Sequence, residues 1–386
     1  MTLIPYGRQT ISDSDIDSVV QVLHSDYLTQ GPKVPEFEEN LAEYVGAPNA
    51  VAVNSATSAL HIACLALDLG PGDYLWTSPI SFVASANCAI YCGAEIDFVD
   101  IDPKTYNMCP NMLAHKLSKA EKTGCLPKIV VVVHFAGQSC EMEAFSILAE
   151  KYGFRLIEDA SHAIGGSWRG TNIGSCQHSD ITIFSFHPVK IITTAEGGVL
   201  TTRNSKIARR LVDLRSHGVT KDTSRLERHG EGAWYYEQQS LGFNYRMSDL
   251  HAALGISQMK ELNKFVSHRH ELACRYNKTL ADLPLVTPWQ HPDSYSAYHL
   301  YPVQVTDEAK MDRYDLFNAL RNAGIMVNVH YIPIHMQPFY LRMGFKEGDF
   351  PNAEAYYCRA LSLPLYASLT EVDQNYVISN VRSLLK

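Results

Sequence analysis

Short β-prone apolar runs alternate with helical stretches between residues 51 and 202, and this alternation restricts the possible folds more than any other feature of the sequence. Strands joined by helices form a mainly parallel sheet with helices on both faces, so the pattern predicts an α/β fold. Ligands of such sheets bind beyond the carboxyl ends of the strands. The predicted strands cover residues 51–54, 74–79, 95–101, 128–135, 155–158, 181–186 and 198–202.

The last third of the chain predicts a second, smaller unit. A helical pattern over 248–280 is followed by an irregular passage at Pro284, Pro288 and Pro292. Strands over 298–305 and 327–331 and helices over 312–323 and 370–385 come after it. A chain of 386 residues is long enough for two domains. We therefore predict a large domain over 1–260 and a smaller C-terminal α/β domain over 261–386.

Lys190 is the candidate for covalent chemistry. It follows the apolar run 181–186 and precedes Gly197-Gly198, which allow close backbone approach, and Ser185 and Thr194 lie near it in the sequence. A lysine held at the end of a buried strand suits a Schiff base with an aldehyde cofactor, for which pyridoxal phosphate (PLP) is the obvious candidate. The alternative is an ordinary surface lysine, and on Lys190 alone that alternative is favoured.

A carboxylate upstream of Lys190 favours the Schiff-base lysine over a surface lysine. Asp159 directly follows the predicted strand 155–158, roughly 30 residues before Lys190, and a βαβ-like unit of that length brings both to one edge of a sheet. A pyridinium nitrogen needs such an anion, because its protonated form lets the ring accept carbanion electrons.

Two further segments offer cofactor contacts. Small residues over 55–59 interrupt the first strand before a helical pattern, and bare N–H groups at a helix N-terminus bind phosphate. Similar N-caps open many helices, so this signal is weak alone. Phe82 lies at a strand-to-helix turn, where an aromatic residue is either part of the core or a flat surface for a planar ring.

Three motifs together resemble the sugar aminotransferases of the DegT/DnrJ/EryC1/StrS family, and the resemblance extends along nearly the whole chain. They are Glu158-Asp159-Ala160-Ser161-His162-Ala163, Phe184-Ser185-Phe186-His187 with Lys190, and Glu196-Gly197-Gly198. The resemblance implies a PLP-dependent enzyme of aminotransferase fold type I. In it Lys190 holds the cofactor and moves protons, while Asp159 keeps the ring nitrogen protonated.

The resemblance also implies a set of binding residues. The cofactor contacts would come from Ala56, Thr57, Phe82, Asp159, His162, Ser185, Lys190 and Asn244. The substrate contacts would come from Tyr6, Asp26, Tyr27, Leu28, Thr29, Ala56, Ser185, Asn244, His330, Tyr331 and Ile332. Several of these residues have a simpler interpretation. Residues 26–32 can be read as a Gly-Pro turn that ends a helix, Asn244 as an ordinary turn residue, and His330 and Tyr331 as structural residues at a strand end.

The implied substrates are L-glutamate as amino donor and a UDP-linked 4-keto-6-deoxy-N-acetylhexose aminated at C4, as in pseudaminic acid biosynthesis. Segment 241–250 resembles the family segment that reaches from one subunit into the active site of the other. This implies a homodimer with shared sites; the role of Arg246 stays open.

Three alternatives remain at this point. One is amination of another 4-keto or 3-keto nucleotide sugar. A sugar dehydratase of the same fold is less favoured, since such enzymes replace the Schiff-base lysine by histidine and Lys190 is present here. The third is a PLP-binding regulator without turnover, against which the lack of a DNA-binding motif argues.

Composition excludes other classes of function. The net charge is −8 without a long Lys/Arg block, which argues against nucleic-acid and membrane-surface partners. The strongest apolar run, 129–133, is too short to span a bilayer, and residues 1–8 lack the pattern of an export signal. Nine cysteines without a zinc-type spacing favour reduced thiols, and hence the cytoplasm, and no histidine constellation predicts a metal.

Overall fold

The computed structural model describes residues 3–228, 230 and 232–386. Its strands are β1 Ile4–Pro5, β2 Asn49–Val53, β3 Tyr74–Thr77, β4 Glu95–Phe98, β5 Ile129–Val133, β6 Arg155–Asp159, β7 Ser167–Trp168, β8 Thr171–Asn172, β9 Ile181–Ser185, β10 Gly198–Thr202, β11 Val219–Thr220, β12 Glu237–Gln238, β13 Leu285–Val286, β14 Ser294–Tyr295, β15 Tyr301–Val305, β16 Ile325–Met326 and β17 Ala360–Leu363.

The helices cover the stretches between these strands. They are α1 Asp13–Leu23, α2 Lys33–Val45, α3 Ala56–Ala66, α4 Ala84–Tyr91, α5 Pro110–Thr123, α6 Met142–Tyr152, α7 Ser205–Arg215, α8 Asp249–Met259, α9 Leu262–Thr279, α10 Arg313–Asn322, α11 Pro338–Leu341, α12 Pro351–Arg359 and α13 Glu371–Leu385. Within the described residues, none of these helices is both long and apolar enough to cross a membrane.

A seven-stranded sheet forms the centre of the large unit, in the order β2-β10-β9-β6-β5-β3-β4. The five strands from β9 to β4 are parallel, while β10 is antiparallel to both of its neighbours. Every residue of β5 and β9 is buried, as expected for strands covered on both faces. The predicted α/β fold with a mainly parallel sheet is confirmed.

The strand register brings the candidate residues to one edge of this sheet. Asp159, the last residue of β6, pairs with Ile183 of β9, two residues before the end of that strand at Ser185. β10 runs the other way, so its first residue, Gly198, pairs with Ser185 on one side and with Val53 on the other. The ends of β2, β6 and β9 therefore meet where ligands of parallel sheets bind.

A second hydrophobic cluster lies under the sheet β13-β15-β17 and includes Ile4 from the N-terminal strand β1. α9 joins this cluster to the core of the large unit, because Leu262 and Phe265 pack in the latter and Leu272 and Tyr276 in the former. Hydrophobic packing thus crosses the boundary at residues 260 and 261, and the division into two domains stays a prediction.

The sequence prediction is wrong in two segments. The helical pattern over 248–280 is two helices, because the N–H groups of Lys260 and Glu261 donate to carbonyls three residues back and tighten the backbone between α8 and α9. Residues 327–331 do not form a strand beyond a single bridge from Asn328 to Ser362. Side chains supply hydrogen bonds to this segment instead. Val329 N donates to Asn328 Oδ1, and His330 Nδ1 contacts Ser362 Oγ at 2.9 Å.

Candidate active site

Lys190 lies in a loop whose two ends are joined by hydrogen bonds. Phe186 N donates to Gly197 O and Thr194 N donates to Phe186 O, both at 3.0 Å, directly after β9. Within the loop, Lys190 N donates to His187 O at 2.9 Å. These bonds fix the backbone of Lys190 beyond the carboxyl end of β9, with its side chain half-buried.

The surroundings of Lys190 favour a neutral amine. Burial lowers the pKa of Lys190 to about 8, and the negative charge of Asp159 opposes this shift without cancelling it. An amine with this pKa is partly unprotonated near neutral pH, whereas an exposed lysine is almost fully charged. Lys190 is therefore prepared to act as a nucleophile and as a base.

Asp159 is buried, and both of its carboxylate oxygens accept hydrogen bonds. Ser85 Oγ donates to Oδ2 at 2.6 Å, while the backbone N–H and the hydroxyl of Ser161 donate to Oδ1 at 3.1 and 2.5 Å. Three donated bonds fix the orientation of the carboxylate. Oδ2 accepts only one of these bonds and retains a lone pair, so the group can accept a further proton donor.

The N-terminus of α3 forms a candidate phosphate site. Ser55 caps the helix by accepting a bond from Ser58 N at 3.1 Å, and the N–H groups of Ala56 and Thr57 belong to the first turn, where no intrahelical acceptor exists. Gly198 passes so close that a Cβ atom there would lie 2.7 Å from Ala56 N. The glycine thus permits the approach of Ser185 and β10 to this turn.

His162 is buried beside Lys190 as a neutral ring. Ala136 N–H donates to its Nδ1 at 3.3 Å, which places the proton on Nε2, and Nε2 lies 3.2 Å from the hydroxyl of Tyr331. Burial lowers the pKa of His162 well below its usual range, and the charge of Lys190 adds to that effect. The bond to Tyr331 attaches the segment after β16 to the end of β6.

The predicted substrate residues near the C-terminus continue from Tyr331. The ring of His330 lies 4.9 Å from that of Tyr6, and burial lowers the pKa of His330 to about 3. Phe82 is 60% exposed, with its ring 6.4 Å from that of Tyr331. Ile332 is exposed beside them. An aromatic and imidazole surface therefore adjoins the Lys190 loop.

The remaining predicted residues lie in two segments, 26–29 and 244–248, that contact each other. Asp26, Tyr27, Leu28 and Thr29 are exposed, and their loop is attached to the start of α8 by a bridge from Thr29 to Ser248 and by the bond from Asp249 N to Leu28 O. Asn244 is also exposed, and its backbone forms a bridge with Ser216. We call residues 26–29 and 244–248 the outer segment. Tyr245 O in this segment accepts a bond from Asn54 N, and Met247 packs in the same hydrophobic cluster as Ile191 and Ile192 of the Lys190 loop.

Three site residues were not predicted from the sequence. Ser85 reaches Asp159 from α4, and its hydroxyl also contacts Ser81 Oγ at 2.7 Å; no local pattern indicates this contact, since 74 positions separate Ser85 from Asp159. His299 packs on His162 with ring centroids 4.3 Å apart. Ser161 could have been found, because a hydroxyl two residues after a strand-end carboxylate commonly bonds to it.

These residues fit an aldehyde cofactor that carries a phosphate and a basic ring nitrogen. They offer a partly unprotonated amine, an oriented carboxylate, free N–H groups at a helix N-terminus and an exposed aromatic ring. In the described parts of the chain, no group of three or more His, Cys, Asp or Glu residues is arranged to hold a metal ion.

Known structures share this architecture along the whole chain. Helicobacter pylori PseC, an aminotransferase involved in the biosynthesis of pseudoaminic acid, matches with a TM-score of 0.89 and 30% sequence identity, covering 100% of this chain and 99% of that chain. This likeness confirms the predicted fold type I.

Relatives of known sequence also match over their full length. The spore coat polysaccharide biosynthesis protein SpsC of Bacillus subtilis is 42% identical over 99% of this chain and 97% of its own. The UDP-4-amino-4,6-dideoxy-N-acetyl-beta-L-altrosamine transaminase of Campylobacter jejuni is 38% identical over 100% of this chain and 98% of its own. Residues 9–382 match the DegT/DnrJ/EryC1/StrS aminotransferase family, and the chain therefore belongs to this family of PLP-dependent sugar aminotransferases.

Proposed function

We propose that the enzyme transfers the amino group of L-glutamate to C4 of UDP-2-acetamido-2,6-dideoxy-β-L-arabino-hexos-4-ulose, as in pseudaminic acid biosynthesis. The observation that carries this proposal is the full-length similarity to the Campylobacter transaminase, whose name is that of the aminated sugar. Segments 78–84 and 215–218 resemble that enzyme in particular.

The nine free cysteines support a cytoplasmic location for the enzyme.

The chain's own residues would hold the cofactor from several sides. The N–H groups of Ala56 and Thr57 and the hydroxyl of Ser185 would bind the phosphate, and Asp159 would bind the ring nitrogen. Phe82 would cover one face of the ring. When bound, PLP supplies an electron sink for the electrons released at the carbon that bears the amino group.

Lys190 would be the group that moves protons. In the first half-reaction, its Nζ takes a proton from Cα of glutamate, which an amine with a pKa of about 8 can do near neutral pH. In the second half-reaction it delivers a proton to C4 of the sugar. Asp159, held by Ser85 and Ser161, would stabilise positive charge at the ring nitrogen.

The aromatic surface of Tyr6, His330 and Tyr331 would bind the sugar nucleotide. His330 and His162 stay neutral near pH 7, because burial lowers the pKa of both rings. They therefore act as hydrogen-bonding groups and do not compete with Lys190 for protons. The UDP group would reach outward, where the outer segment of a second chain supplies Asn244 and residues 26–29.

A mixing experiment tests this shared site. Lys190→Ala and Asn244→Ala chains would each form weak or inactive homodimers, but a heterodimer would contain one doubly damaged site and one intact site. Equal random mixing makes about half of the dimers heterodimers, so roughly a quarter of the wild-type activity should return.

The matched control mixes Lys190→Ala with Asp159→Asn. Both residues serve the same chain, so every heterodimer site carries one defect and activity should not return. If the Asn244 mixture also shows only the summed residual activities of its components, Asn244 serves its own subunit and the shared-site arrangement is wrong.

The substrate is tested with a panel of keto-sugar nucleotides. We expect turnover of the UDP-linked 4-keto-6-deoxy sugar with glutamate, and NMR of the product should place the new nitrogen at C4. The second candidate is a different keto-sugar nucleotide, favoured by the 42% identity to a spore coat polysaccharide protein. If the product carries the nitrogen at C3, or if only sugars linked to another nucleotide are turned over, the UDP-linked 4-keto-6-deoxy sugar is wrong and a different keto-sugar nucleotide is the substrate.

A further inference from the structure

Asp249 is a fully buried carboxylate to which the proposed reaction assigns no role. It is the first residue of α8, directly after the N-cap Ser248, and it is 0% exposed. Gly31 N donates to its Oδ1 at 3.0 Å, and Lys33 N donates to its Oδ2 at 3.1 Å. The donors are backbone groups 218 and 216 positions away in the chain. The carboxylate therefore joins the start of α8 to the turn over residues 28–33, which leads into α2.

This turn depends on Asp249 for its backbone hydrogen bonds. α2 begins at Lys33, and Pro32 before it offers no side-chain cap, so the N–H of Lys33 has no acceptor within the helix. Gln30 has a φ of 55°, in the left-handed region that non-glycine residues seldom adopt. Asp249 also donates its own N–H to Leu28 O at 3.0 Å. One residue thus holds both ends of the turn.

The packing around the carboxylate links it to an exposed side chain of the outer segment. A Cβ atom at Gly31 would lie 2.4 Å from Asp249 Oδ2 and 2.4 Å from Tyr27 Cβ, so a side chain there would displace the carboxylate or Tyr27. Tyr27 itself is 56% exposed. A surface loop that is bonded and packed against a buried group in this way is ordered before a ligand arrives.

We propose that Asp249 is a positioning residue for the nucleotide sugar, because it holds residues 26–29 in the conformation that binds this substrate. The inference rests on the proposed function, in which these residues contact the nucleotide sugar. A carboxylate suits the task, since each of its two oxygens accepts one N–H group. A carboxamide of the same size accepts at one oxygen only and directs its NH₂ group at the N–H of either Gly31 or Lys33.

The first measurement compares Asp249→Asn with the wild-type holoenzyme. The KM for the keto-sugar nucleotide should rise about tenfold at nearly unchanged kcat, because the variant leaves one buried N–H group without an acceptor and loosens the loop. The single-turnover rate with glutamate should stay within about twofold of the wild type, since the loop contacts only the sugar nucleotide. The assay uses whichever keto-sugar nucleotide the wild type aminates, so a wrong sugar assignment does not alter the comparison.

The second measurement needs no sugar. Amide hydrogen exchange followed by mass spectrometry should be faster over residues 26–33 in Asp249→Asn and unchanged over the remote helix α6, because the lost bonds belong to the turn alone. An unchanged exchange rate over 26–33, an unchanged KM for the sugar nucleotide, or equal losses in both half-reactions would overturn the proposal.

Two further variants complete the test. Gly31→Ala keeps the carboxylate and displaces the turn, so it should raise the same KM and leave the glutamate half-reaction intact. It decides the question by the same outcomes if Asp249→Asn folds poorly. Glu36→Ala is the matched control, because it removes a partly exposed carboxylate from the first turn of α2 and leaves the bonds to Asp249 in place. Its KM and exchange rates should equal those of the wild type.

Discussion

Lys190→Ala is expected to reduce turnover at least about 10⁴-fold, because the substitution removes both the covalent attachment of the cofactor and the group that moves protons. The visible absorbance of the bound cofactor should disappear with it. Steady-state assays with glutamate and keto-sugar measure the first effect, and spectra of the purified protein measure the second. Circular dichroism should show an unchanged fold, since the half-buried side chain of Lys190 does not belong to the hydrophobic core.

Lys206→Ala is the matched control for this experiment. Lys206 is an exposed lysine in the first turn of α7, outside the candidate site, and its removal should leave turnover and absorbance unchanged. A Lys190→Ala enzyme that kept the absorbance and full activity would show that another amine carries the cofactor.

Asp159→Asn is expected to slow both half-reactions about 100-fold or more, because the carboxamide has the same size but lacks the charge that stabilises a protonated ring nitrogen. Single-turnover kinetics with glutamate measure this loss. Ser85→Ala provides a graded comparison. It keeps the charge of Asp159 and removes one of its three hydrogen bonds, so its effect should be smaller.

Asp159→Asn also makes a prediction about pH. The charge of Asp159 raises the pKa of Lys190, so its removal should lower that pKa below about 8. Only the unprotonated amine condenses with an aldehyde, and cofactor loading of the apoenzyme should therefore reach half its maximal rate at a lower pH than in the wild type. An unchanged single-turnover rate together with an unchanged pH midpoint would exclude the assigned role of Asp159.

The central sheet and the position of Lys190 and Asp159 were predictable because they depend on local chemistry. Buried parallel strands are continuous apolar runs, and a polar residue directly after such a run marks the carboxyl end. The family, the cofactor and the enzyme class inferred from the motifs are confirmed by the comparisons. The individual cofactor and substrate contacts remain predictions.

The rest of the site depends on contacts between distant parts of the chain. Ser85 reaches Asp159 only because α4 packs on the sheet at β3 and β4, and residues 327–331 replace strand pairing with a side-chain bond from His330 to Ser362. Neither contact has a periodic signal in the sequence. The proposed role of the outer segment depends even less on local sequence, because it requires a second copy of the chain.

The path of α9 has a consequence for building chimeric enzymes from members of this family. A crossover at residues 260 and 261 would join a foreign α9 to the large unit and change the partners of Leu262 and Phe265. A crossover after α9 would instead disturb the packing of Leu272 and Tyr276. A junction that preserves both packing surfaces therefore lies inside the helix, between Val266 and Leu272, where one packing surface ends and the other begins.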